Sequence, residues 1–136
     1  MQYGAARKGV VDTIERLQKK IVRNVKGVWS RAHTNNIFSE LKILKVRDLI
    51  DYNQKILGHR IWYKTLPENF RSDFESLKVI GCKTRAVSNL NFKITLCSKQ
   101  YFQTAPCFTV PTAWNAMSIE TKNITKIKSF KNNLRK

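Results

Sequence analysis

The sequence predicts a mainly α protein: a small helical domain with a long irregular or short-stranded central arm and a C-terminal helix. Three observations carry that expectation. Val10, Ile14, Leu17, Ile21 and Val25 recur at helical spacing on one side of a first helix, with Val22 on its flank. Val46, Leu49, Ile50, Asn53, Ile56, Leu57 and Ile61 do the same for a longer one. Beyond Leu66-Pro67 the periodicity fades for some forty residues, as far as about residue 110. Hydrophobic residues make up 42% of the 136, so the chain has material for one modest core and is not a disordered basic tail.

The first helix is expected between Asp12 and Lys26. Asp12 reads as its N-cap, with Glu15 three residues on completing a capping-box-like pair that suits the positive end of the helix dipole. Gly27 ends the pattern. Thr34 can cap a short helix carrying Ile37, Phe38 and Leu41. The stripe from Val46 to Ile61 is core-forming, and Leu66-Pro67 stops it because proline has no N–H and biases its predecessor away from the α region. In the arm, Phe92–Leu96 and Cys107–Val110 alternate and read as short strands or as irregular chain. Pro111 suits the first turn of a small helix through Trp114, and a terminal helix from about Thr125 carries Ile127, Phe130 and Leu134. The organisation that follows is a basic helical region over 1–67, a connecting arm over 68–112, and short helices with a basic end over 113–136.

Charge narrows the function. There are 26 Lys+Arg against 9 Asp+Glu, a net +17. Self-repulsion on that scale is relieved by a polyanion, and nucleic acid, RNA or DNA, is the leading partner. Arg16, Lys19, Lys20, Arg23 and Lys26 all point away from the apolar stripe of the first helix, which makes that face the expected phosphate-binding surface. Arg85, beside Thr84, is a further phosphate contact, and Trp29, Trp62 and Tyr101 are the aromatics that would stack on unpaired bases.

Other classes lose support. The nine acids are scattered, so no carboxylate cluster is present to hold the two metals of a polymerase or nuclease. The five glycines stand singly, leaving no phosphate-cradling loop. Cys82, Cys97 and Cys107 lack zinc-type spacing and read as reduced packing residues, and His33 and His59 are far apart. No catalytic residue, metal, cofactor or small-molecule substrate is expected. With neither an apolar run of membrane-spanning length nor a signal-peptide core, the expectation is an intracellular protein, in cytoplasm or nucleus, without a membrane partner.

Several segments occur in a telling order. Ile14-Glu15-Arg16-Leu17-Gln18-Lys19-Lys20-Ile21-Val22-Arg23 comes first, then Arg31-Ala32-His33-Thr34, Phe38 with Glu40-Leu41-Lys42-Ile43-Leu44, and Arg47-Asp48-Leu49-Ile50. Leu66-Pro67 with Phe70, Thr84-Arg85, Trp114-Asn115 and Ser129-Phe130-Lys131 through Leu134 complete the series. In this order, from about residue 10 onward, the chain resembles the C-terminal region of reverse transcriptases of jockey-type non-LTR retrotransposons. It departs from them at Met117-Ser118, where the family writes Leu-Pro, and at Val110, where the family commonly has glycine. The resemblance implies a piece lying within or beyond the polymerase thumb, with the family's catalytic aspartates and endonuclease outside this chain. It implies an accessory role in holding RNA, DNA or their heteroduplex beside the upstream polymerase domain. The alternative is a structural remnant that packs on that domain and has no activity of its own.

Overall fold

A computed structural model describes residues 8–74, 88–94 and 98–134, and these are mainly helical. The elements are α1 (Lys8–Lys26), α2 (Asn35–Glu40), α3 (Val46–Trp62), a 3-10 turn (Glu68–Phe70), α4 (Gln100–Gln103), α5 (Pro106–Asn115), α6 (Ile119–Lys122) and α7 (Ile127–Asn133). No β-strand forms among the described residues. The chain divides into two compact units, Met1–Asp51 and Tyr52–Lys136, and the division falls inside α3.

Three helices stop in the same way. Val28 N–H donates to the Arg23 carbonyl, Ile43 N–H to Phe38 and Thr65 N–H to Arg60, each across a left-handed residue: Gly27, Lys42 and Lys64. These are Schellman ends, which satisfy carbonyls the helix leaves orphaned. Gly27 ends α1 as expected, at φ +65°. The third helix stops at Lys64, φ 54°, and not at the expected Leu66-Pro67. A side chain in the left-handed region costs about 1–2 kcal/mol, whereas a glycine there gives back only about 0.4–1 kcal/mol in unfolded-chain entropy. Lys64→Gly is therefore expected to raise stability by about 0.5–1 kcal/mol, read as a higher urea midpoint at unchanged m value.

In the first unit the orientation of α1 differs from expectation. Val22 is its buried residue and packs with Ile37 and Phe38, and with Leu41 at the edge. Val10, Leu17, Ile21 and Val25 are 50% to 69% exposed, so the apolar stripe faces solvent. What turns the helix is a polar clasp on the Val22 side, since Gln18 and Glu15 stand one and two turns before Val22 on nearly the same face. The Gln18 side chain accepts from Val46 N–H at 3.0 Å and donates to the Leu44 carbonyl at 2.9 Å, gripping the start of α3. Arg47 Nε donates to Glu15 at 2.8 Å, and its guanidinium also bonds Asp12. Asp12 and Glu15 thus lie within α1 and hold Arg47, correcting the reading of them as a cap. Leu17 and Ile21 of the apolar stripe and Leu49 of α3 are all exposed. Thr34 precedes α2 and is buried, but its side chain makes no capping bond.

The second unit has an aromatic core. Ile61, Phe92, Val110, Trp114 and Phe130 are buried together, with Ile56, Leu57, Trp62, Ile124 and Ile127 against them. The Trp62 and Trp114 rings stack with centroids 5.8 Å apart. The indole lies directly on Gly58, where an added Cβ would stand 3.1 Å from Trp114 Cε3. Cys107–Val110, read as strand-like, belongs to α5, with Pro106 in its first turn and Pro111 inside it. The reason is visible in burial: Val110, Ala113 and Trp114 share one helical face, and that face outweighs the local alternation. His59 is buried between Tyr63 and Phe130, and its Nε2 donates to the Ile124 carbonyl at 2.8 Å. Burial pushes the His59 pKa below its ordinary value; the Ile124 bond opposes the shift and Arg60 adds to it.

Candidate nucleic-acid interface

The five cations expected to form one face of α1 fall into two groups. Lys19 Nζ pairs with Glu15 at 2.7 Å, and Lys26 Nζ with Glu40 at 2.7 Å. Arg23 Nε donates to the Ala32 carbonyl at 2.9 Å, tying the turn after α1 back onto the helix. Arg16 and Lys20 are exposed, and their side chains join no ion pair among the described residues. The same holds for Arg31. Arg85, with Thr84, lies outside the described residues.

This split has an electrostatic cause. From Arg16 to Ser39 the sequence holds six cations and no acid. The neighbouring acids stand just outside that stretch, at Glu15 and Glu40, and each takes the lysine within reach. Glu15 also bonds Arg47, and Lys19 first, then Arg47, hold its carboxyl below the usual range. Both lysine pairs are at the surface, where an ion pair contributes about 0–1 kcal/mol. Either pair is therefore broken at little cost, whereas moving Arg23 would release the turn. Arg16 and Lys20 are thus the cations of α1 outside any ion pair among the described residues, Lys19 and Lys26 sit in weak surface pairs, and Arg23 positions the loop.

The aromatics also separate. Trp62 packs on Trp114 and is core. The Tyr101 side chain lies outside the described residues. Trp29 is 75% exposed in the turn that follows α1. In the second unit Lys126 and Lys128 are exposed on and beside α7, but Lys122 is buried. Its Nζ donates to Asn91 Oδ1 at 2.8 Å and to the Asn89 and Asn115 carbonyls at 3.2 Å each. Burial pushes its pKa down. No sequence spacing announces that role; the nearest signal is the set of asparagines, Asn89, Asn91 and Asn115, that supplies its acceptors.

Among the described residues no three His, Cys, Asp or Glu side chains converge as metal ligands, and no helix is long and apolar enough to cross a membrane. Cys107 is a free, exposed thiol and not a packing residue, while Cys82 and Cys97 lie outside the described residues. The chain matches no family model, no curated protein and no solved structure.

Proposed function

We propose that this chain is a non-catalytic module that binds RNA or DNA through phosphate without reading sequence, as the C-terminal part of a retrotransposon RNA-directed DNA polymerase. Its other partner in that reading is the upstream polymerase domain, and it works inside the cell with no cofactor. The observation that carries the binding is the acid-free stretch from Arg16 to Ser39, with Arg16, Lys20 and Arg31 exposed in a chain of net charge +17. The parentage rests on the ordered motifs from Ile14 to Leu134.

The mechanism is electrostatic. Each cation that neutralises a phosphate releases condensed counterions, so binding weakens with salt at a log–log slope of about 0.9 per contact on duplex DNA. Such contacts fix position without reading bases. Arg16 and Lys20 stand about 40° apart around α1 and one turn apart along it, so they can follow one strand's phosphates.

The test is binding of the full chain to RNA and DNA duplexes, followed by anisotropy across about 50–200 mM salt. Arg16→Glu with Lys20→Glu is expected to lower affinity by about tenfold or more at the low-salt end and to flatten the slope by about two. The loss should be equal for unrelated sequences. Equal affinity and slope for parent and double variant would sink the assignment of this face. These two residues suit the test because neither holds the fold, whereas Lys19 and Arg23 each bond within the unit.

One observation favours the second reading, a structural piece that packs on the polymerase. Val10, Leu17, Ile21 and Val25 face solvent along α1, and a fully buried aliphatic side chain is worth about 1.5–3 kcal/mol. No binding to any nucleic acid at the low-salt end would leave that reading in possession.

A further inference from the structure

Trp29 is the one tryptophan outside a core. Trp62 and Trp114 stack on each other in the second unit, while the Trp29 ring is 75% exposed. An indole carries a large apolar surface with an electron-rich face, and leaving it in water forfeits a gain that either a core or a stacking partner would supply. Its backbone is nonetheless held. Ala32 N–H donates to the Trp29 carbonyl at 3.0 Å, closing a turn. Arg23 Nε donates to the Ala32 carbonyl at 2.9 Å, and Val28 N–H to the Arg23 carbonyl at 3.1 Å, so both ends of the turn are fastened to the last turns of α1. Lys26 and Arg31 flank the ring in sequence, both are exposed, and no acid lies between them.

A fixed, exposed aromatic between cations is the arrangement that binds unpaired bases: the ring takes a base and the cations take the phosphates on either side. A duplex offers the ring little, because its bases are already stacked on one another. We infer that the turn Trp29–Ala32 is a single-strand stacking site, with a nucleobase on the Trp29 indole and the adjoining phosphates on Lys26 and Arg31. This rests on the phosphate-binding reading above and specifies its ligand as a single strand. The Glu40 carboxylate now on Lys26 is displaced by phosphate when the strand binds. Arg23 is a positioning residue in this site, since its guanidinium holds the turn.

The experiment measures tryptophan fluorescence and affinity of the full chain with short oligouridine, oligothymidine and a duplex of equal length. Either single strand is expected to quench the emission, because Trp29 is the exposed indole of the three, and to bind more tightly than the duplex. Trp29→Ala should cost about tenfold or more in single-strand affinity and remove the quenching, with duplex affinity and salt slope retained. Trp29→Tyr should restore most of the single-strand preference. Duplex binding by the parent with no quenching and no single-strand preference overturns the stacking site and leaves the phosphate reading standing. Equal losses for strand and duplex in Trp29→Ala overturn it too. Absence of binding to all three ligands at low salt overturns both.

Discussion

Trp114→Ala is expected to remove most of the stability of the second unit. The side chain has no exposed surface and touches Trp62, Phe92, Phe130 and His59, with Gly58 beneath it. Truncating a buried Trp or Phe to Ala costs about 3–5 kcal/mol, and a whole domain is stable by about 5–15 kcal/mol. The indole also carries a polar bond, Nε1–H to the Leu90 carbonyl at 2.8 Å, that the alanine leaves unmade. Packing cannot close the gap, because the face opposite the ring is the α3 backbone at Gly58, which has no side chain to move in. Urea unfolding followed by far-ultraviolet circular dichroism should show the midpoint collapse. Trp114→Phe should fall between, retaining ring contacts but losing the Leu90 bond. A midpoint within experimental error of the parent would mean that this cluster is not what holds the unit together.

Trp114 and Asn115 also explain why a short sequence motif marks a structural joint and not a site. Asn115 Oδ1 accepts from Phe92 N–H and its Nδ2 donates to the Phe92 carbonyl, both at 2.9 Å, so one side chain mimics a strand-pairing partner. Together with the Leu90 bond, the pair clamps residues 90–92 against the end of α5. A sequence reading sees the two residues but not their partners, which lie more than twenty positions away.

What was legible and what was not divides along the same line. Helical periodicity located α1 and α3, because spacing is local. It did not tell which side of α1 is buried. Amphipathicity says where the apolar residues are, whereas the clasp that orients α1 is polar: Gln18 on Leu44 and Val46, and Arg47 on Asp12 and Glu15. Those contacts span 26 to 35 residues and leave no period in the sequence. The first half of α5, before the helix expected from Pro111, was missed for a different reason. Cys107-Phe108-Thr109-Val110 alternates, and only the residues beyond it, Ala113 and Trp114, reveal the helical face. On the candidate face, sequence identified the cations of α1 but could not separate Arg16 and Lys20 from the three already engaged.

Lys122→Met is expected to destabilise the second unit by about 2–4 kcal/mol, through three acceptors left without donors at about 1–3 kcal/mol for each buried one. The ammonium has three protons, and each meets an oxygen: Asn91 Oδ1, the Asn89 carbonyl and the Asn115 carbonyl. Among the described residues no carboxylate pairs with it. Its charge is balanced by neutral oxygens, one of them at the C-terminus of α5, where the helix dipole favours a cation. Two effects oppose each other in the substitution. Methionine escapes the cost of desolvating a charge, the same cost that lowers the Lys122 pKa. Against that, it cannot donate, and the oxygens it abandons sit on two segments, residues 89–91 and the end of α5, that the lysine helps to tie together. The second effect wins, because replacing an ion by an apolar side chain is neutral only when its partners are replaced with it. Adding Asn91→Leu to Lys122→Met removes one of the abandoned acceptors, so the double variant should lose less than the sum of the two single losses. Urea midpoints for the four proteins of that cycle give the coupling directly, and additive losses would show that the Lys122–Asn91 bond contributes nothing of its own.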